Sequence, residues 1–282
     1  MATPAMAATS AAAAADRVAV HGLAQARAAW LLLQKLWCLT EAVELARVTG
    51  LELPDVMYRA QMARTWSLLL RVAKRKGFVL GGGLQPRGLA PDTTPFMYHP
   101  VENSTAGWYG QHPMVVLDFV SLYPSIFIAF NLCYSTLVHP SDLPGLQRRQ
   151  VSMHASPASK HLQSDRFVSA EVRKGLLPLV LEGLLRQRKA AKDALAKEQD
   201  PSLRAVLDCR QGALKMCANA AYGFTGSDAS PLQCTALAES CLRFGNFLCR
   251  QAKGIIEGWA QVPPPPSSGP PPPPPPPPPP QE

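Results

Sequence analysis

No apolar run in the 282 residues reaches the ~18 needed to cross a bilayer. Trp30-Leu31-Leu32-Leu33, for instance, is stopped by Gln34 and Lys35. A soluble chain without a membrane partner is expected. No Cys-x-x-Cys pair occurs among the seven cysteines, Cys38, Cys133, Cys209, Cys217, Cys234, Cys241 and Cys249. That odd, scattered set argues against a disulfide framework and a structural zinc site and suits a reducing compartment. Acid is scarce: 20 Asp and Glu stand against 28 Lys and Arg, a formal charge of +8 that favours an acidic partner without naming one. Residues 139–165 show no periodicity and read as a surface loop. Their histidines, His139, His154 and His161, lack ligand-like spacing and are expected in solvent. Gly81-Gly82-Gly83 is followed by Pro86 and no helix, so it reads as a flexible loop reaching about Pro95 and not as a phosphate cradle.

What is present begins with an apolar content of 47%, enough for a sizeable core. Its focus is the stretch from Pro113 to Ile126. Pro113 bounds a short, β-branched apolar run that reads as a buried strand and delivers one carboxylate, Asp118, at its end. A buried, unpartnered acid costs several kcal/mol, so Asp118 either caps the next turn or holds a cation. Capping is the plainer reading for the acid alone. Ser121-Leu122-Tyr123-Pro124-Ser125 then sets a backbone turn and an aromatic ring beside it, which suits a metal-bound phosphate.

Helical spacing organises the rest. Met1–Ala15 is low-complexity Ala, Ser, Thr and Pro, lacking the recurring arginines of a transit peptide. Apolar positions between Asp16 and Leu53, including Val20, Leu23, Leu31, Leu36 and Leu45, predict a helical segment stopped at Gly50. Met57–Lys76 predicts an amphipathic helix with Met62, Trp66, Leu69, Leu70 and Ala73 inward and Arg59, Arg64, Arg71 and Lys74 outward. Phe127–Leu137 reads as a helix or buried turn. Val172–Lys197 and Leu203–Phe224 predict two helices in an antiparallel hairpin across Glu198-Gln199-Asp200-Pro201. On the first, Arg188 and Lys192 lie one turn apart. On the second, Gln211, Lys215, Asn219 and Tyr222 step by four, four and three onto one stripe, away from Leu207, Leu214 and Ala218. A hairpin presenting Arg188, Lys192, Lys215 and Asn219 offers a site for a polyanion such as a nucleoside triphosphate. The alternative is a solvated face in which Asp193 and Glu198 supply ion-pair partners.

Asp118 to Ile126 resembles motif A of the family B DNA polymerases, an aspartate followed by Ser-Leu-Tyr-Pro-Ser-Ile. Asn131-Leu132-Cys133-Tyr134, Arg173-Lys174-Gly175-Leu176-Leu177-Pro178, Arg188-Lys189-x-x-Lys192 and the motif-B-like Lys215-x-x-x-Asn219-x-x-Tyr222-Gly223 repeat the likeness, which covers about Arg17 to Ala260. It implies an α+β fold: a polymerase palm with a partial sheet, an antiparallel helical-hairpin fingers subdomain and disordered termini. By the same resemblance Asp118, with the Phe119 carbonyl, holds Mg2+. Ser121 and Leu122 touch phosphates through their backbone, and Tyr123 lies under the sugar and excludes a 2′-hydroxyl. Arg188, Lys192 and Lys215 bind the triphosphate, Asn219 supports it, and Tyr222 and Gly223 lie near the nascent base pair. The partners implied are a DNA primer-template and deoxynucleoside triphosphates, with accessory polymerase subunits allowed, in the nucleus, for replication, repair or translesion synthesis. The reaction implied is two-metal phosphoryl transfer to a primer 3′-hydroxyl.

The domain division expected is a low-complexity 1–15, a helical end of an exonuclease-like domain and linker at 16–110, palm with motif A at 111–171, fingers at 172–225, a palm helix at 226–261 running to about Trp259, and a Pro-rich tail at 262–282. Two departures matter. His21 and Gln25 stand where proofreading members carry a Tyr and a metal-binding Asp, so no proofreading site is assigned. Gln25 and Glu44-Leu45-Ala46-Arg47 lean towards the zeta branch, whereas Phe224-Thr225-Gly226 is closer to delta. The family's second acidic motif, Asp-Thr-Asp, does not occur in these residues, so a truncated polymerase inactive on its own is expected. The competing expectation is a non-catalytic nucleotide- or DNA-binding fragment with a Pro-rich interaction tail.

Overall fold

The computed structural model describes residues 4–81, 118–158 and 164–260, with side chains described from residue 15 to 258. The expected strand at 113–117, the loop beyond Gly81, His161 and the proline tail lie outside the described residues.

Helix α1 (Pro4–Lys35) takes in most of the N-terminal stretch read as padding. The reason is intrinsic: alanine is the best helix former, so its repetition favours a helix. The chain breaks at Trp37, which adopts a left-handed conformation (φ 54°), and α2 (Cys38–Thr49) follows. Gly50 closes α2 at φ 72°, donating its N–H to the Ala46 carbonyl, as the sequence reading of a stop there requires. A Cβ at Gly50 would also lie 2.7 Å from Nη1 of Arg71, a contact the flexible arginine can relieve, so it is the positive φ that calls for glycine. The helical reading of 16–53 holds, but Val20, Leu23, Leu31 and Leu36 stay exposed among the described residues.

The helix expected over 57–76 is two: α3 (Leu53–Tyr58) and α4 (Gln61–Lys76). On α4 the buried set is Thr65, Leu68, Leu69 and Ala73. Leu70 is 42% exposed, contrary to the inward assignment, because it lies a further 100° round the helix from Leu69. Arg64, read as outward, turns inward: its Nη1 donates to Sδ of Met216 at 3.1 Å and Nη2 to the Val56 carbonyl at 2.9 Å.

The segment 139–165 is more ordered than its lack of periodicity suggested. It contains α6 (Leu143–Arg148) and β1 (Met153–Ala155), after the motif-A helix α5 (Leu122–Ala129). Strand β2 (Arg166–Val168) pairs antiparallel with β1, Met153 opposite Val168 and Ala155 opposite Arg166. Three-residue strands are too short to show alternation in sequence. His154, expected in solvent, is half-buried with its ring edge-on to Phe130, centroids 5.9 Å apart.

The hairpin forms as expected, from α7 (Leu176–Lys197) and α8 (Pro201–Gly226). Leu177, Val180, Leu181 and Leu184 recur at helical spacing and bury one face of α7. The turn is fixed by backbone-directed side chains. Glu198 Oε1 accepts from the N–H groups of Gln199 and Asp200, Asp200 caps α8 by accepting from the Ser202 N–H at 3.1 Å, and Arg204 donates to the Leu195 and Glu198 carbonyls. α8 is the central helix, touching α2, α4, α5, α7 and the last helix, α9 (Thr235–Ala260). Phe127, Phe167, Leu181, Leu214, Phe224 and Leu237 form the fully enclosed core.

Cys217 lies in this core on α8. Burial pushes its thiol up to about 11, with Arg64 pulling the other way. The unfolded thiol ionises near 9, so the protonated folded thiol stabilises fully below pH 9, and this contribution is lost as pH climbs through 11. The loss is about 2–3 kcal/mol. Urea midpoints measured from pH 8 to 11 should fall less steeply for Cys217→Ala than for the wild type; parallel curves would show that the thiol does not titrate in this way.

Candidate active site

Asp118 is exposed and opens the segment leading into α5. Three residues on, Ser121 takes a left-handed conformation (φ 55°, ψ 46°), strain of about 1–2 kcal/mol for a residue with a Cβ. Its carbonyl accepts from the Ser125 N–H at 3.0 Å, starting α5 abruptly. A helix start leaves its first N–H groups without helical acceptors, here those of Leu122 and Tyr123, beside the Asp118 turn. These amides point the positive end of a helix at whatever anion approaches.

Tyr123 is the link to the rest of the site. Its ring stacks on Tyr222 of α8 with centroids 4.6 Å apart and planes 22° from parallel. Motif A and the α8 stripe, a hundred residues apart in sequence, therefore share one aromatic wall. Burial raises both phenol pKa values, with Cys241 and Cys249 adding for Tyr123, and Tyr123 and Cys241 adding for Tyr222. Both rings remain neutral at physiological pH.

Further along α8, Lys215 and Asn219 are exposed and Gln211 is half-buried, so the stripe stands as the spacing predicted. Across the hairpin, Arg188 donates Nε–H to Oε1 of Gln211 at 3.4 Å, and Gln211 in turn donates to Asp208. Lys192 is exposed one turn beyond Arg188. Neither Lys192, Lys215 nor Asn219 has a hydrogen-bond or ion-pair partner among the described residues. Glu198 is occupied by backbone amides instead of pairing with them. The salt-bridged alternative for this face thus finds no support on α7 and α8.

The donors for a cation are few. Among the described residues no group of three His, Cys, Asp or Glu side chains is placed to hold a metal. Asp118 and the Phe119 carbonyl are hard oxygen donors, suited to Mg2+ that keeps waters and completes its shell with substrate phosphate. They fit one such ion, not two.

Three residues hold a contact to which the sequence reading gave no role. Asp165, Ser240 and Arg243 form a hydrogen-bonded cluster between α9 and the end of the β1–β2 connection. The available signal was Glu239 and Arg243 one turn apart inside an otherwise apolar stretch. Phe244, next to Arg243, stacks on Phe130, centroids 3.7 Å apart, fixing α9 against the end of α5.

The family model described as DNA polymerase family B matches residues 51–264. The chain is 41% identical over 241 residues to the DNA polymerase delta catalytic subunit of Bos taurus and 40% identical over 241 residues to that of Oryza sativa subsp. japonica; each alignment covers 86% of this chain. It spans about a fifth of these relatives' length, 21% in both cases. Among solved structures, the family B DNA polymerase of the archaeon Pyrobaculum calidifontis superposes with a TM-score of 0.58 at 28% identity, over 80% of this chain and 28% of that one.

Proposed function

The chain belongs to the family B DNA polymerases, and on that premise we propose that it contributes the nucleotide-binding face of a DNA-directed DNA polymerase of the delta type, transferring deoxynucleotides to a primer 3′-hydroxyl in nuclear replication. The observation that supports this is the stacked Tyr123–Tyr222 pair, which joins the start of α5, just after Asp118, to the α8 stripe that carries Lys215 and Asn219. In this reading residues 111–171 and 226–261 act as palm and 172–225 as fingers. Phe224-Thr225-Gly226 and the likeness to delta subunits support the delta branch; translesion synthesis has only Gln25 and residues 44–47 in its favour.

Each residue then has a task in charge and position. Asp118 and the Phe119 carbonyl would hold Mg2+, which when bound neutralises phosphate charge during in-line displacement. The Leu122 and Tyr123 amides receive phosphate oxygens at the start of α5. Arg188, oriented by Gln211, and the exposed Lys192 and Lys215 neutralise the triphosphate, and Asn219 adds a neutral donor on the same face. Tyr123, braced by Tyr222, forms a floor beneath the sugar that a 2′-hydroxyl would strike.

Titration calorimetry with dATP and Mg2+ tests the reading. Hydrogen bonds to charged groups contribute about 1.5–3 kcal/mol, so Lys215→Ala and Arg188→Ala should each raise Kd roughly 10- to 100-fold. Tyr123→Ala should narrow the preference for dATP over ATP. DNA binding that persists with no measurable dATP binding in the unmutated chain would favour the non-catalytic alternative instead.

A further inference from the structure

The base of α7 is held by the loop after α5, not by its own cap. Gly175, at the N-cap position, has no side chain to offer. In its place Asn131, fully enclosed and in a left-handed conformation (φ 53°), accepts from the Gly175 N–H at 2.9 Å through Oδ1. Its Nδ2 donates to the Arg173 carbonyl at 2.8 Å and the Val168 carbonyl at 2.7 Å. Sγ of Cys133 accepts from the Leu177 N–H at 3.3 Å. The approach is so close that a Cβ at Gly175 would lie 2.5 Å from Cβ of Cys133. Asparagine tolerates the left-handed region better than most residues, so one side chain serves the turn and three backbone partners at once.

We propose that Asn131, seconded by Cys133, is a positioning residue that sets the direction in which α7 leaves the body and thereby where Arg188 and Lys192 stand relative to the motif-A turn. The proposal rests on the nucleotide-site reading above. At 1.5 Å per residue, Arg188 and Lys192 lie ~18 and ~24 Å along α7 from Leu176. A tilt of about 5° at the root displaces Lys192 by ~2 Å, enough to lose a charged contact of hydrogen-bond length. Beyond Arg186, only Arg188, Ala191 and Leu195 on α7 are even half-buried, so the outer half has little besides α8 to correct such a tilt.

The test uses the full chain with spin labels on p-acetylphenylalanine at the exposed positions 129 and 194. Asn131→Gly keeps the left-handed turn and removes the amide. It should broaden the 129–194 distance distribution and shift its mean by about 2 Å, and raise the Kd for dATP with Mg2+ about tenfold. Val56→Ala, a core truncation on α3, which packs on α2, should leave the distribution unchanged even where it lowers stability comparably. Should Asn131→Gly fail to fold, Cys133→Ala, which removes the sulfur that accepts from Leu177 and Ser135 while leaving Asn131 in place, decides with a smaller broadening expected. An unchanged distribution in the folded variant overturns the proposal. A broadened distribution in a chain whose wild type binds no dATP overturns the nucleotide-site reading and leaves the joint standing.

Discussion

Arg243→Ala is expected to lower the stability of the fold by about 3–5 kcal/mol, a large part of the 5–15 kcal/mol that holds an ordinary domain together. Arg243 is only 6% exposed, in the middle of α9. Its Nη2 lies 2.5 Å from Oδ2 of Asp165 and 3.4 Å from Oγ of Ser240, and Nη1 donates to the Pro157 carbonyl. Ser240 donates to the same Asp165 oxygen, and the backbone of Asp165 pairs with Ser156. One guanidinium therefore gathers both ends of the β1–β2 connection onto α9. Removing it leaves a half-buried carboxylate without its charge partner, and that desolvated charge sets the size of the effect.

The same reasoning predicts strong non-additivity. Asp165→Leu alone removes the carboxylate bonded to the buried Arg243 and should likewise destabilise the fold. Arg243→Met with Asp165→Leu removes both charges and should recover more than 1 kcal/mol relative to the sum of the singles. Urea unfolding of the four proteins measures this directly. A cost under 1 kcal/mol for Arg243→Ala would mean that the cluster is solvated in solution. Function should follow stability here, because Phe244 stacks on Phe130 and Cys241 borders Tyr123, so a displaced α9 disturbs the wall of the nucleotide site.

What could be read from sequence divides along physical lines. The α7–α8 hairpin was legible because a polar turn with proline at the first helical position separates two strongly periodic segments, and the stripe of Gln211, Lys215, Asn219 and Tyr222 follows from helix geometry alone. Arg64 and Leu70 were misjudged because residue type outweighed phase: an arginine with a long apolar stem can turn inward when a carbonyl and a sulfur await it. The roles of Asn131 and Arg243 were not legible. Their partners are carbonyls, amides and a carboxylate brought close only by tertiary folding, 37 to 86 residues away in sequence. For the proposed site, helix spacing gave the α8 stripe, and the Tyr123–Tyr222 stack that ties the start of α5 to α8 came only from the structure.

The 282 residues on their own are expected to bind dATP with Mg2+ and to form no phosphodiester bond. Binding needs cations to balance a triphosphate, which in the proposed reading Arg188, Lys192, Lys215 and one Mg2+ at Asp118 would provide. Transfer needs more, since both the attacking 3′-oxygen and the departing pyrophosphate must be stabilised while charge moves between them. Asp118 and the Phe119 carbonyl would hold a single ion, and no Asp-Thr-Asp occurs in these 282 residues to hold another. A missing ion that stabilises several kcal/mol of developing charge slows the reaction by roughly a thousandfold or more, below detection in a primer-extension gel. Asp118→Asn should therefore weaken dATP binding in the presence of Mg2+ while leaving an already blank extension assay unchanged. Extension by the unmutated chain that disappears in Asp118→Asn would show instead that a single carboxylate suffices, with the substrate's own phosphates holding the second ion.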